Sequence, residues 1–135
     1  MIGILLITHA PLGSSFITVA EHVFRVCPKC VEALDVPADQ DPAEVRRLAD
    51  AAVARLDRGQ GVLVITDVLG GTPSNCAEGM ASIGRVEVIA GLSLPMLLRA
   101  ITYRTDTLDV AAKMALEGGQ DGAVRVDRRI RVAVN

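Results

Sequence analysis

Aromatic side chains are nearly missing from this sequence: Phe16, Phe24 and Tyr103 are the whole set, and there is no tryptophan. Single-strand nucleic-acid binders stack bases on such rings, and sugar-reading proteins stack their ligands in the same way. Both classes lose their usual contact here. Neither sign of charge dominates either. Fourteen basic against sixteen acidic residues give a net charge of −2, which removes the basic footprint of a nucleic-acid partner. No run approaches the roughly 18 apolar residues that direct membrane insertion needs. The start, MIGILLITHA, lacks the basic flank and small-residue cleavage site of a secretory signal. Three cysteines make no disulfide framework, so a reducing cytoplasm is the expected location.

What is present is aliphatic. Half of the 135 residues are apolar, mostly Ala, Val, Leu and Ile, the composition of a buried parallel sheet under helices. Residues 1–135 are expected to form a single domain. Ile2–Thr8 and Gly61–Thr66 are unbroken apolar runs, as central strands require. Val31–Val36 and Arg85–Ala90 are two further strands. A helix follows Ser14 or Ser15 as cap, with Phe16, Val19, Ala20, Val23, Phe24 and Cys27 on one apolar face. The next begins at cap Asp41, with Pro42 in its first turn and Glu44 three residues after the cap. It buries Val45, Leu48, Ala49, Ala52, Val53 and Leu56, and Gly59 stops it. Thr72 caps a third helix running to about Ile83. Helical segments near Pro95–Ile101 and Thr107–Glu117 are closed by Gly118-Gly119 and Gly122. From Val124 the apolar residues alternate with Arg and Asp, as in an edge strand with one wet face or one paired with another subunit. The fold class is therefore α/β: a doubly wound, mainly parallel sheet of order 2-1-3-4, helices on both faces, and a C-terminal antiparallel edge strand.

In such sheets ligands bind beyond the carboxyl ends of the strands, where strand order reverses. Order 2-1-3-4 makes the first and third strands neighbours, and directly after them stand His9 and Asp67. A carboxylate on one imidazole nitrogen fixes the tautomer, stabilises a positive ring and leaves the other nitrogen's lone pair outward. Gly70, Gly71 and Thr72 then open a helix, offering free amides and a hydroxyl to an anion, phosphate above all. Nucleophilic histidine, orienting aspartate and phosphate cradle together describe phosphoryl transfer through a phosphohistidine. Singly, each part has an ordinary reading: a loop histidine, a turn cap, a turn before a helix.

Rival constellations are poorer. Ser74 would complete a serine triad with His9 and Asp67, but no G-x-S-x-G elbow surrounds it. Dinucleotide and Walker A sequences are absent, and a receiver domain's acidic pair is replaced by Thr8-His9. Cys27-x-x-Cys30 would need Cys76 and His22 to make a zinc site. It also falls at a helix end, where a redox thiolate is not stabilised, and reads as two incidental cysteines. His22 lies off the apolar helix face and reads as exposed. No metal or cofactor is implied.

Three stretches carry a family resemblance along nearly the whole chain: Gly3–His9, the run Asp67-Val68-Leu69-Gly70-Gly71-Thr72-Pro73-Ser74-Asn75, and Val88–Gly91 with Leu94–Leu97. The sequence resembles the enzyme IIA component, mannose/fructose type, of the bacterial phosphoenolpyruvate-dependent sugar phosphotransferase system. The resemblance implies that His9 accepts a phosphoryl group from the phosphocarrier protein HPr and passes it to an enzyme IIB component. Asp67 would orient His9, and the Gly71-Thr72 turn would hold the phosphoryl oxygens. It also implies a homodimer with an exchanged C-terminal strand, for which 123–134 is the candidate. Ser93 stands where relatives commonly carry Asn. With no linker or IIB domain after Asn135, the next carrier is expected to be a separate protein. A phosphoryl donor to dihydroxyacetone kinase and a regulatory phosphoprotein of the same family would share this site. A non-catalytic module binding an anion or a partner in the same crevice is the reading from outside enzymology.

Overall fold

A computed structural model describes residues 1–81 and 85–127. Four strands, β1 (Gly3–His9), β2 (Val31–Val36), β3 (Val62–Thr66) and β4 (Val86–Ala90), form one sheet. All pairings are parallel, and the order is β2-β1-β3-β4, as the apolar runs predict. The register sets Thr66 beside both Ile7 and Ala90, and His9 beside Val36. The carboxyl ends of β1 and β3 therefore come together.

The helices are α1 (Leu12–Phe24), α2 (Pro42–Leu56), α3 (Thr72–Met80), α4 (Leu94–Thr102) and α5 (Leu108–Asp121). Side chains alternate across a strand, so β1 and β3 feed two cores. Ile4, Leu6, Leu63 and Ile65 meet Ala20, Leu97, Ala100, Ile101, Ala111 and Ala115 under α1, α4 and α5. Leu5, Ile7, Val62 and Val64 meet Val45, Ala49, Ala52, Leu56, Ala77 and Met80 under α2 and α3. Every β3 residue is buried, because both faces are covered. Truncating Leu63 to Ala would cost about 2–5 kcal/mol in so closely packed a layer.

Several boundaries differ from expectation. α1 begins at Leu12, without a side-chain cap from Ser14 or Ser15. Its first amides are satisfied across the fold instead: Gly13 N–H donates to Thr8 Oγ1 at 2.8 Å and Ser14 N–H to Asp35 Oδ1 at 3.1 Å. Its apolar face is only partly used. Ala20 is buried, whereas Val19, Val23 and Phe24 stay exposed. Asp41 caps α2 as expected, accepting from Ala43 N–H at 3.1 Å, but Glu44 pairs with Arg47 instead of closing a capping box. α3 starts one residue earlier than expected, with Gly71 as N-cap and Thr72 already helical, and it ends at Met80.

Gly118 and Gly119 do not stop α5, which continues to Asp121. They lie where α5 crosses α4. A Cβ on Gly118 would come within 2.9 Å of Arg99 Cβ and of the Pro95 carbonyl oxygen. Their small size serves helix packing. Residues 123–127 form no strand, and the remainder of the expected edge strand lies outside the described residues. Among the described residues no helix is long and apolar enough to cross a membrane.

Candidate active site

His9 closes β1 and Asp67 follows β3. Their side chains meet with His9 Nδ1 2.8 Å from Asp67 Oδ2. The same oxygen accepts the His9 amide at 3.0 Å, and Oδ1 accepts the Val68 amide at 2.9 Å. Burial pushes the Asp67 carboxyl up, but the hydrogen bonds from the His9 amide and ring and from the Val68 amide outweigh it. The net position is below the usual carboxylate value. An ionised carboxylate has no proton to give, so Nδ1 is the donor and Nε2 keeps its lone pair. Two bonds to one carboxylate oxygen, from main chain and ring of a single residue, fix the ring's rotation.

The other side of the ring faces the turn before α3. A Cβ on Gly71 would lie 2.9 Å from His9 Cε1 and 3.2 Å from Nε2, so only glycine lets the backbone approach this closely. Gly70 has φ +104°, a left-handed conformation that favours glycine. Gly71 is extended and serves as the N-cap, so the free amides of α3 begin next to Nε2. The imidazole is 54% exposed while its carboxylate partner is 9% exposed, which is the arrangement of a nucleophile held from behind and open in front.

A parallel α/β sheet with an exposed histidine alone leaves many families open. The matched sequence decides among them: residues 3–116 match the family model described as "PTS system fructose IIA component". The chain belongs to this family. It is 37% identical over 76 residues to the mannose-specific EIIAB component of the phosphotransferase system in Escherichia coli K12. That match covers 54% of this chain and 24% of the relative, so the chain spans about a quarter of the curated relatives it matches. A phosphotransferase system component EIIA from Streptococcus agalactiae superposes with a TM-score of 0.83 at 25% identity, covering 93% of this chain and 97% of that one. The mannose/sorbose-specific IIA subunit from Enterococcus faecalis gives 0.84 at 19% identity, covering 98% of both chains.

Within the IIA frame the rival constellations come apart. Ser74 is 1% exposed and its hydroxyl has no hydrogen-bond partner among the described residues, so it does not extend the His9–Asp67 pair. Cys27, Cys30 and Cys76 are free, and no three metal-ligating side chains gather among the described residues. The Cys27 thiol is pushed up by a hydrogen bond to Glu21, by burial and by the Glu21 charge, the reverse of an activated thiolate. His22 is exposed. Ser93 caps α4, its hydroxyl accepting Met96 N–H at 3.3 Å. Sequence reasoning missed Thr8 and Asp35, which hold the start of α1 beside His9. A polar residue near the carboxyl end of each of their strands was the available signal.

Proposed function

We propose that this chain is a phosphocarrier of the sugar phosphotransferase system that works through phospho-His9. Family membership makes it a phosphoryl-transfer component of that system. The observation that carries the assignment to His9 is the contrast between its nitrogens: Nδ1 is bound to a shielded carboxylate and Nε2 faces the Gly70-Gly71-Thr72 turn.

The step is an in-line displacement. The Nε2 lone pair attacks phosphorus, the P–N bond to the donor's phosphohistidine breaks, and its electron pair returns to the donor imidazole. The transferring group passes through a loose transition state, so positioning and charge stabilisation carry the catalysis. Asp67 stabilises the positive charge that grows on the His9 ring as the new bond forms. The α3 amides and the Thr72 hydroxyl receive the equatorial oxygens. Onward transfer reverses the roles. HPr is the donor, an enzyme IIB component the acceptor, and the cytoplasm the compartment in which both are met. The working unit is a homodimer.

The test is incubation with phosphoenolpyruvate, enzyme I and HPr. The expected product is a phosphoprotein that is labile to acid and absent from His9→Ala. Equal labelling of wild type and His9→Ala would refute the assignment, and saturable anion binding without labelling would favour a non-catalytic module. Sedimentation should report a dimer that becomes monomeric when residues 123–135 are removed.

A further inference from the structure

The helices α2 and α3 leave a cleft of about 230 Å³ between their first turns, lined by Pro42 and Arg46 on one side and by Thr72, Asn75 and Cys76 on the other. It lies at the reactive end of the sheet. Leu5 and Ile7 of β1 face α2 and α3, and strand alternation carries His9 onto the same side. Thr72 is shared: it belongs to the turn against His9 and also lines the cleft.

Arg46 is held across this cleft. Its Nε donates to Asp50 Oδ1 at 2.9 Å, one helical turn on, which fixes the root of the guanidinium and directs the terminal amino groups elsewhere. They run over α3 at Gly79, where a Cβ would come within 2.7 Å of Arg46 Nη1. Glycine at the next-to-last position of α3 puts no side chain in this space. Here it opens the notch in which the guanidinium rests. Both charges of the Arg46–Asp50 pair reach the cleft wall: burial pushes the Cys76 thiol up, the Arg46 charge pulls it down and the Asp50 charge pushes it up.

We infer that Arg46, with Asn75, binds a carboxylate side chain of the protein that docks on His9 to exchange its phosphoryl group. The inference rests on the phosphocarrier reading. A planar guanidinium matches a carboxylate, and the neighbouring Asn75 amide adds a directional donor. The cleft has the volume of a side chain. Thr72 joins it to the turn against the imidazole, which a partner must cover to reach, so the anion arrives on that partner's surface. Arg46 is a positioning residue: it holds the partner, and His9 performs the transfer.

The experiment is steady-state phosphoryl transfer from phospho-HPr and to enzyme IIB, with phosphoramidate as a small donor needing no docking. Arg46→Ala should raise KM in a protein transfer about fivefold at low salt with kcat little changed, the scale of a partly exposed charged pair. The rise should shrink as salt is added, and Arg46→Lys should recover part of it. Arg47→Ala, which removes the same charge from an outward position, should match wild type. Gly79→Ala keeps the charge and improves helix propensity but evicts the guanidinium, so a folded protein with raised KM is expected. Unchanged KM in both protein transfers for Arg46→Ala and Gly79→Ala would overturn the inference. An equal loss with phosphoramidate would also overturn it, by placing Arg46 on the phosphoryl group itself. Failure of wild type to be labelled by any donor would instead refute the phosphocarrier reading.

Discussion

Two pairs of reactive side chains stand out in this sequence, and the fold treats them oppositely. Cys27 and Cys30 are three positions apart along the chain, in the turn between α1 and β2, and remain free thiols. His9 and Asp67 lie 58 positions apart and share a hydrogen bond of 2.8 Å. Sequence proximity brought the cysteines near each other without supplying a group that would activate either. Strand order brought the histidine, by both its ring and its own amide, to a carboxylate that the Val68 amide also holds. A reactive pair needs a third element to hold it, and only the sheet end provides one.

The largest test of this contrast is His9→Ala, expected to abolish acid-labile phosphorylation completely, as read by radiolabel transfer from phospho-HPr. Asp67→Asn should come next. It keeps the shape but loses the charge that selects the tautomer, and single-turnover transfer should slow by about 10²-fold or more with circular dichroism unchanged. A rate within twofold of wild type would remove the orienting role. Gly71→Ala should slow transfer by roughly tenfold, because the new methyl displaces the ring from its attack position. Rapid-quench kinetics would show it.

A smaller effect is thermodynamic. The Asp67 carboxyl is held below its usual value in the folded state, so it contributes stability that is fully present above the ordinary aspartate pKa of about 3.9. That contribution disappears as pH falls through the lower, folded value. Urea midpoints should therefore drop more steeply in wild type than in Asp67→Asn below about pH 4. The smallest expected effect is Cys27→Ser with Cys30→Ser: unchanged transfer and a stability change within about 0.5 kcal/mol. A large loss of transfer in that double variant would make the cysteine turn a second functional region.

The strands were legible because both central ones are continuous apolar runs, which only a sheet covered on both faces accounts for. His9 and Asp67 were legible for a related reason: polar residues immediately after such runs fall at the open end of the sheet. Helix boundaries were less so. The cap of α1 is built from Thr8 and Asp35 on two strands, so no local pattern around Ser14 could reveal it. Gly118-Gly119 carries the sequence signature of a helix stop, yet α4 packs so close that small residues are needed to let α5 pass. Val19, Val23 and Phe24 of α1 share the apolar periodicity of the buried Ala20, and only packing against the rest of the fold separates them.

By itself, then, the sequence determined the alternation of strands and helices, the central place of β1 and β3, and the arrival of a histidine and an aspartate at strand ends. These follow from periodicity and composition, which act over a few residues. The tertiary structure alone decided which imidazole nitrogen is bound, how closely Gly71 approaches the ring, and that Arg46 rests against Gly79 beside the same crevice. Each of these depends on distances between segments far apart in the chain, and those distances exist only once the sheet has chosen its neighbours.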